Sequence, residues 1–379
     1  MEIFDTLRNT KTELEFSGKV GIYLCGVTVY DDAHIGHART IIVFDVLRRF
    51  LESQKIPVEL VQNFTDVDDK ILDRAENLRN NEGQDITAVE LAAKYIKNYF
   101  VDFDRLNVKR ATEYPKASDH IQDMLNLIDD IYKKKYAYVK EGKGVWFSVK
   151  KFKKYGNLSK KKLREMISAA TRKKMKRVTE LRKKYKGKQL PDSKNPELIK
   201  DQAELDELSE QIKLEGEQKK DILDFALWKF EKRERFWPSR WGEGRPGWHI
   251  ECSAMSLKYL GKNFEIHGGG RDLIFPHHEN EIAQSQIHTR AKFAKIWMHV
   301  GMVTIDNVKM SKSEGNVKTV KHVFENWGSN IIRLFCLSGK YTKPIDYTEK
   351  LLRENITKLR QIESCYYELR LAEGTSKDT

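Results

Sequence analysis

Apolar and polar residues alternate along the first hundred positions in a way that predicts strands alternating with helices. A short apolar run over 19–25 predicts a strand, and apolar residues at helical spacing over 39–53 predict a helix that begins near Arg39. Residues 58–61 predict a second strand, and the helix after it ends near Asn80. This order is typical of a parallel sheet. The sequence therefore predicts an α/β fold for this part of the chain.

The pattern changes after Tyr114. Two short β-rich runs on either side of 141–144 predict a hairpin. Residues 159–219 have apolar side chains at helical spacing on both sides of a proline-containing break, which predicts two antiparallel helices inserted into another domain. Two interpretations of this charged hairpin stay open: a solvated helical pair without a binding role, or a nucleic-acid contact through its basic helix.

Aromatic residues, glycine and histidine become frequent after Phe225, and the pattern again predicts alternating elements. Residues 237–247 read as a loop, and Asp306-Asn307 reads as a hairpin turn. The remaining predictions are helices over 86–106, 248–260, 331–337 and 347–371, strands over 264–267 and 293–300, and a helix that begins near Pro276.

Charge and cysteine content narrow the class of protein. The 379 residues carry a formal net charge of +13. However, residues 150–188 alone hold 18 lysines and arginines against two glutamates, so the rest of the chain is slightly acidic. The net charge is therefore no nucleic-acid signature of the core.

The four cysteines lie far apart, no secretory signal is evident and no apolar run reaches the roughly 18 residues of a membrane span. We expect reduced thiols in the cytoplasm.

Two motifs some 270 residues apart suggest chemistry on a phosphate. His34, Gly36 and His37 follow a strand and precede a helix, and Lys309-Met310-Ser311-Lys312-Ser313 follows the predicted hairpin turn. Histidines near a helix N-terminus can donate to phosphate oxygens, and Gly36 permits close approach of a nucleotide. Lys309 and Lys312 could hold a pyrophosphate. Each motif alone could be incidental, as stray histidines or a solvated basic loop, but the pair is specific.

A second constellation could bind a metal. Cys25 and Cys252 are joined by His277 and Glu281, which are four residues apart and so share a helix face. Two thiolates, one imidazole and one carboxylate make a plausible tetrahedral zinc set. His278 would serve almost as well as His277. Buried cysteines beside a capped helix are the alternative interpretation.

Glycines after the strand over 264–267 suggest a nucleotide contact. Gly268 and Gly269 permit close backbone approach, and Asp272 could accept hydrogen bonds from ribose hydroxyls. We therefore expect adenosine to bind there.

The two phosphate motifs resemble those of class I aminoacyl-tRNA synthetases. Over most of the chain, to about Tyr347, the sequence is similar to the cysteinyl-tRNA synthetase family. The similar stretches are 23–39, 63–70, 248–255 and 267–284.

The resemblance implies roles for individual residues. It implies one zinc ion per chain, held by Cys25, Cys252, His277 and Glu281. It implies a cysteine pocket near Thr65, Trp248 and His278, with core packing as the alternative for Trp248. Zinc binds thiolate far better than hydroxyl. This preference would exclude serine at the binding step, so that no editing site is needed. It further implies that the motif residues bind and stabilise the phosphates of ATP; these residues are His34, His37, Lys309 and Lys312.

The resemblance also implies a fold class, a reaction and partners. The fold would be a Rossmann-like parallel sheet split by a connective insertion and followed by a small helical region. ATP with Mg²⁺ would activate L-cysteine, and the cysteinyl group would pass to tRNA(Cys), in a monomer without membrane contact. The expected units are a nucleotide-binding domain in two halves (1–113 and 237–302), the connective insertion (114–236), a signature-loop and stem-contact region (303–346) and the start of a helical bundle (347–379).

One departure leaves alternatives open. Members of the family usually continue into a full helical bundle and an anticodon-contacting domain, so this sequence is either truncated or lacks anticodon contacts. A ligase that joins cysteine to an amino sugar by the same adenylate chemistry is the first alternative. A non-catalytic tRNA-binding relative is the second, although its motifs would be expected to degrade.

Overall fold

The structure, a computed structural model, describes residues 1–166, 176–181, 183, 219–310 and 315–375. Most of the predicted charged hairpin and residues 311–314, which include Lys312, lie outside the described residues.

Strands and helices follow one another through the described chain. The strands are β1 (Glu2–Asp5), β2 (Thr10–Glu13), β3 (Val20–Thr28), β4 (Val58–Thr65), β5 (Ala137–Lys140), β6 (Gly144–Phe147), β7 (Phe225–Phe230), β8 (Gly244–Pro246), β9 (Phe264–Gly270), β10 (Ala294–Val300), β11 (Val303–Ile305), β12 (Val308–Lys309) and β13 (Ile345–Asp346). The helices are α1 (Ile35–Ser53), α2 (Asp69–Glu82), α3 (Ala88–Arg105), α4 (Ile121–Lys133), α5 (Leu163–Met166), α6 (Trp248–Leu260), α7 (His277–Thr289), α8 (Val320–Leu337) and α9 (Glu349–Thr375). None of these helices combines the length and apolar character needed to cross a bilayer.

A four-stranded parallel sheet lies at the centre, in the order β10-β9-β3-β4. Helix α1 connects β3 to β4, and α7 connects β9 to β10. The predicted α/β fold with a parallel sheet is confirmed. Because parallel strands all end at the same edge, the carboxyl ends of β3, β4 and β9 meet where such sheets bind ligands.

The two faces of this sheet belong to two separate cores. Ile22 and Leu24 on β3 pack into a core with apolar residues of α1, α2 and α3. Tyr23 and Cys25, the alternate positions, pack into a second core with α4, α6 and α7. The period of two along β3 thus directs Cys25 toward α6 and α7.

The chain between the halves of the parallel sheet forms an antiparallel sheet in the order β5-β6-β7-β8. The predicted hairpin around 141–144 is confirmed as β5 and β6. The loop predicted over 237–247 is wrong in part, because β8 lies within it and pairs with β7 through Trp228 and Pro246. Periodicity cannot reveal a three-residue strand, whose existence depends on its partner.

Two predicted helix starts are also wrong. Helix α1 begins at Ile35 rather than near Arg39, because His34 caps it and His37 lies in its first turn. Helix α8 begins at Val320, well before the predicted 331, and Gly328 interrupts its pattern with a φ of 74°. By contrast, the Asp306-Asn307 turn is confirmed, with both residues at positive φ as a tight hairpin turn requires.

Arg39 joins α1 to the chain around the β11–β12 hairpin. The buried guanidinium donates to the carbonyl oxygens of Gly301, Met302 and Lys343 at 2.8, 3.0 and 2.7 Å. Burial lowers the pKa of Arg39 to about 10, so the group stays charged at neutral pH. The Arg39 side chain therefore fixes the first phosphate motif relative to the β11–β12 hairpin, which leads into the second phosphate motif.

We expect Arg39→Leu to lower the free energy of unfolding by about 3 kcal/mol or more, since several buried carbonyl groups would lose their donor. Urea denaturation followed by circular dichroism would measure the change. Arg49→Leu is the matched control, because Arg49 lies on the same helix, is 42% exposed and pairs with Asp45. Its loss should cost less than about 1 kcal/mol. Equal effects of the two substitutions would contradict the anchoring role of Arg39.

Candidate functional site

An irregularity in β3 presents Cys25 to the interior. The parallel register of β3 with β4 shifts between Leu24 and Val27, so the strand continues past the predicted end at 25 and bulges at Cys25-Gly26. A Cβ on Gly26 would lie 1.6 Å from the carbonyl oxygen of Asn63. Only glycine fits this close approach of the two strands.

The four predicted metal ligands come together at this bulge. Cys25 Sγ lies 3.7 Å from Cys252 Sγ on α6 and 3.6 Å from Glu281 Oε1 on α7. His277 Nε2 lies 3.1 Å from the same Glu281 oxygen. All four side chains are buried, and their ligand atoms lie within 4.8 Å of one another. This cluster could hold a metal ion.

A second overlapping set is equally compact. Cys25, His267, His278 and Glu281 also place one ligand atom each within 4.8 Å of the others. His278 Nε2 lies 3.2 Å from Cys25 Sγ, and His267 Nε2 lies 3.5 Å from the same sulfur. The alternative that gives His278 a ligand role is thus geometrically possible. His267, on β9, was not predicted as a candidate ligand.

Neighbouring rings orient both histidines of α7. His249 Nδ1 lies 2.9 Å from His277 Nδ1, so the Nε2 atom of His277 faces the cluster. His278 Nδ1 lies 2.7 Å from His299 Nε2. Trp248 stacks on His277 with ring centroids 4.4 Å apart, and about a third of its surface is exposed. The indole therefore packs on one residue of the cluster while part of its surface reaches solvent.

Burial shifts the titration of the whole cluster toward neutral forms. Burial raises the pKa of the Cys25 thiol well above its ordinary value, and Cys252 raises it further. Burial likewise raises the pKa of Cys252 and of Glu281, and it lowers the pKa of His277 well below its ordinary value. A cation among these groups would favour the deprotonated thiols and carboxylate.

One carboxylate oxygen in the cluster has no hydrogen bond of its own. Glu281 Oε2 is buried and makes no hydrogen bond to the part of the chain that is described, although His267 Nε2 lies 3.2 Å away. A buried acceptor without a donor is costly. This oxygen is a further indication that the cluster is built to receive a positive ion.

Thr65 lies beside the cluster at the end of β4. Its hydroxyl donates to Glu251 Oε2 at 2.9 Å and contacts Asn63 Nδ2 at 3.4 Å. Asn63 Oδ1 in turn accepts from Gly26 N and lies 3.5 Å from Cys252 Sγ. The predicted pocket residues Thr65, Trp248 and His278 therefore surround the same cluster. Neither Asn63 nor Glu251 was predicted, although both lie in stretches that carry the family resemblance.

The two histidines of the first motif cap helix α1. His34 N contacts His37 Nδ1 and His37 N contacts His34 Nδ1, both at 3.3 Å, and the rings stack with centroids 3.7 Å apart. Because each Nδ1 acts as an acceptor, each neutral ring carries its hydrogen on Nε2. The capped end of α1 therefore combines two imidazole rings with the free N–H groups of a helix N-terminus, where anions are favoured.

The two phosphate motifs meet in space. A Cβ on Gly36 would lie 3.0 Å from the His34 ring and 3.4 Å from Met310 Cε. After residues 311–314, the chain contacts the first motif again. Ile35 N donates to the carbonyl oxygen of Lys318 at 3.0 Å, and His34 forms an isolated antiparallel β-bridge with Thr319. The backbone of Lys309 belongs to β12, beside this contact.

The glycines after β9 have packing neighbours. A Cβ on Gly268 would lie 2.0 Å from the Phe44 ring, and one on Gly269 would lie 3.1 Å from His278 Cε1. Asp272 follows in a short 3₁₀ turn, with its carboxylate folded back toward Gly270. Close helix–strand packing therefore requires glycine at 268 whether or not a nucleotide binds.

Comparisons with known sequences identify relatives. The profile of the family described as tRNA synthetases class I (C) catalytic domain matches residues 12–357. A cysteine–tRNA ligase of Caldicellulosiruptor saccharolyticus is 45% identical over 372 residues, which cover 97% of this chain and 70% of that relative. A cysteine–tRNA ligase of Thermococcus kodakarensis is 46% identical over 354 residues, which cover 92% of this chain and 64% of the relative.

Comparisons with solved structures support the fold. Methionyl-tRNA synthetase of Mycobacterium tuberculosis, in complex with methionyl-adenylate, superposes with a TM-score of 0.58 at 14% identity, over 90% of this chain and 68% of that chain. The LeuRS of Agrobacterium radiobacter K84 superposes with a TM-score of 0.58 at 11% identity, over 94% of this chain and 73% of that chain. The expected family, fold class and enzyme class are confirmed, and neither alternative, the amino-sugar ligase or the non-catalytic relative, is favoured. The chain belongs to the class I aminoacyl-tRNA synthetases, in the family of the cysteine–tRNA ligases.

Proposed function

We propose that the chain activates L-cysteine with ATP and transfers the cysteinyl group to the 3′ end of tRNA(Cys). A carboxylate oxygen of cysteine attacks the α-phosphate, pyrophosphate leaves, and the terminal ribose hydroxyl of tRNA then displaces AMP from the adenylate. The observation that carries the proposal is the placement of two sites on one β3–α1 connection. Cys25 belongs to the ligand cluster, and His34 and His37 open the helix that follows.

We propose that one zinc ion binds to Cys25, Cys252, His277 and Glu281. Tetrahedral bonds of about 2.3 Å to sulfur and about 2.1 Å to oxygen would place two sulfurs about 3.8 Å apart and sulfur and oxygen about 3.6 Å apart. The corresponding distances of 3.7 and 3.6 Å fit these values. The set with two thiols suits zinc better than the set with one. When bound, zinc supplies a centre that prefers a thiolate to a hydroxyl and so distinguishes cysteine from serine.

Three residues would form the walls of the cysteine pocket. Trp248 packs on one residue of the cluster while remaining partly exposed, which supports a pocket wall over core packing. Thr65 presents its hydroxyl beside Asn63, and His278 lies against Cys25. A pocket closed by these groups would admit a small side chain and exclude water from the reacting carboxylate.

The first motif would stabilise the α-phosphate. His34 and His37 would donate from Nε2 to the oxygens on which charge develops, and Gly36 would let the nucleotide approach the helix. Lys309 and Lys312 would hold the departing pyrophosphate, and Mg²⁺ would accompany ATP. Gly268, Gly269 and Asp272 would contact adenosine. The monomeric state and the cytoplasmic location stay predictions.

Cysteine-dependent exchange of pyrophosphate into ATP tests the activation step. We expect exchange with cysteine and none above background with serine, followed by formation of cysteinyl-tRNA when tRNA(Cys) is added. Absence of exchange from the zinc-loaded protein would refute the proposed function. Transfer of the cysteinyl group from the adenylate to an amino sugar but not to tRNA would refute the second step only.

We expect Cys252→Ser to lose bound zinc and selectivity for cysteine together, because a hydroxyl is a poor ligand for zinc. Metal analysis by mass spectrometry and exchange assays with cysteine and serine would measure both. Cys336→Ala, which changes a buried thiol outside the cluster, is the control and should keep one zinc per chain. Full zinc content in Cys252→Ser would contradict the ligand assignment.

We expect His277→Gln to release zinc and His267→Gln to retain it, because only His277 belongs to the set with two thiols. Equilibrium dialysis against a zinc buffer would give the two affinities. A fall in affinity of about 10- to 100-fold for His267→Gln would still fit a role in orienting a ligand. Complete loss in His267→Gln with retention in His277→Gln would assign the metal to the other set.

We expect Lys312→Ala to slow adenylate formation about 100-fold or more while zinc content stays unchanged, because one charge that stabilises the leaving pyrophosphate is lost. Single-turnover measurement of adenylate would test this. Lys321→Ala, an exposed lysine on α8, should show the parental rate. A rate equal to the control would exclude Lys312 from the activation step.

A further inference from the structure

Three buried side chains form a directional series of hydrogen bonds beside the ligand cluster. Gly26 N donates to Asn63 Oδ1 at 2.9 Å, Asn63 Nδ2 donates to Thr65 Oγ1 at 3.4 Å, and Thr65 Oγ1 donates to Glu251 Oε2 at 2.9 Å. Asn63 and Thr65 are at most 3% exposed, and Glu251 is inaccessible. The series leads from the bulge in β3 to helix α6.

The backbone at Gly26 sets the direction of the whole series. A peptide N–H can only donate, so the oxygen of the Asn63 amide must face it and the NH₂ group must face Thr65. The Thr65 oxygen therefore accepts from Asn63, and its own hydrogen goes to Glu251. A hydroxyl has one hydrogen and two lone pairs. One lone pair of Thr65 remains, and it can interact only with a donor.

We propose that Glu251 is a positioning residue that makes the Thr65 hydroxyl an acceptor for the α-ammonium group of cysteine. This inference rests on the proposed function, which places cysteine in this pocket. Of the three polar groups of cysteine, only the ammonium can donate once the thiol is bound to metal as a thiolate. Asn63 links Thr65 to the ligand cluster, because its Oδ1 lies 3.5 Å from Cys252 Sγ and its Nδ2 lies 3.4 Å from Thr65 Oγ1.

The surroundings of Glu251 suit a positively charged group. Glu251 Oε1 is buried and has no hydrogen-bond partner within the described ranges. Asp66 and Asp68 closely follow Thr65 along the chain, and Arg245 lies on β8, shortly before α6. Both acidic neighbours are already engaged, since Asp66 accepts from Ser118 and Asp68 caps α2.

Arg245 does not neutralise Glu251 directly. Its guanidinium makes a short ion pair with Asp69 and lies 3.6 Å from Glu231 Oε2. Glu251 thus keeps one oxygen, Oε1, without a hydrogen-bond partner among the described residues. A bound ammonium on Thr65 would place a positive charge near this buried carboxyl group.

A purely structural role is the competing explanation, because the Thr65–Glu251 bond also joins β4 to α6. Two small thiols separate the explanations. Cysteamine carries a thiol and an ammonium group, whereas 3-mercaptopropionate carries a thiol and a carboxylate. Loss of an ammonium acceptor should weaken the binding of cysteamine only. A distorted pocket should weaken the binding of both thiols.

Isothermal titration of both thiols into the zinc-loaded full chain tests the inference. We expect Glu251→Leu and Thr65→Val each to weaken cysteamine binding about tenfold and to leave 3-mercaptopropionate binding within about twofold. In a Thr65→Val protein, adding Glu251→Leu should not weaken cysteamine binding further, because Glu251 acts through the Thr65 hydroxyl. Thr65→Ser and Glu251→Gln, which keep the hydroxyl and an acceptor, should recover most of the affinity.

Asp224→Leu is the control for the loss of a buried carboxylate. Asp224 accepts from Tyr138 and Val149 N in the connective insertion, so this variant should lose thermal stability but bind cysteamine as the parent does. Equal weakening of both thiols in Thr65→Val, or no cysteamine binding by the parent, would overturn the inference. Pyrophosphate exchange by the parent is scored separately, and its absence would refute the proposed function instead.

Discussion

The burial of two thiols, an imidazole and a carboxyl group at one point is the constraint on which the site depends. Each group would be costly to bury in its charged form, and burial shifts the pKa of each in the direction that favours the neutral form. The arrangement is stable in the charged form only with a cation at its centre. This requirement explains why the bulge in β3 and the N-terminal halves of α6 and α7 converge: β3 and α6 contribute one ligand each, and α7 contributes two.

The same sheet edge also determines how activation and selection are coupled. Arg39 holds α1 at a set distance from the β11–β12 hairpin, while hydrogen bonds around His34 and Lys318 fix the chain beyond the second motif. The phosphate motifs are thus positioned by backbone contacts on both sides of residues 311–314. The ligand cluster lies on the opposite face of β3 from the core that supports α1. Under the proposed function, a substrate held at the cluster would meet a nucleotide at the N-terminus of α1 beyond the end of this strand.

Much of the fold follows from periodicity. The alternating strands and helices of the first hundred residues, the β5–β6 hairpin and the turn at Asp306-Asn307 could be predicted, because each has a local pattern or turn chemistry. The bulge at Cys25-Gly26 could not, since it arises from the close approach of Asn63 on another strand. The start of α1 was missed because a pair of histidines replaces the usual capping residues.

The candidate site was predicted unevenly for the same reason. Cys25, Cys252, His277 and Glu281 were found through spacing on α7 and family resemblance, and they do come together. His267, His299, Asn63 and Glu251 have no local signal, since their importance depends on neighbours from distant segments. Their positions in the parallel sheet and the facing helices become meaningful only once the strand order is known.

The distance along the chain between Cys25 and Glu281 has a consequence for synthesis. Their contact joins residues 256 positions apart. At a translation rate of about 5–20 residues per second, Cys25 would emerge roughly 10 to 50 s before Glu281. Throughout that interval its thiol has neither its buried surroundings nor its partner ligands. A thiol exposed for that long is open to oxidation unless its surroundings are reducing. The proposed metal would gain its full set of ligands only after Glu281 has been made.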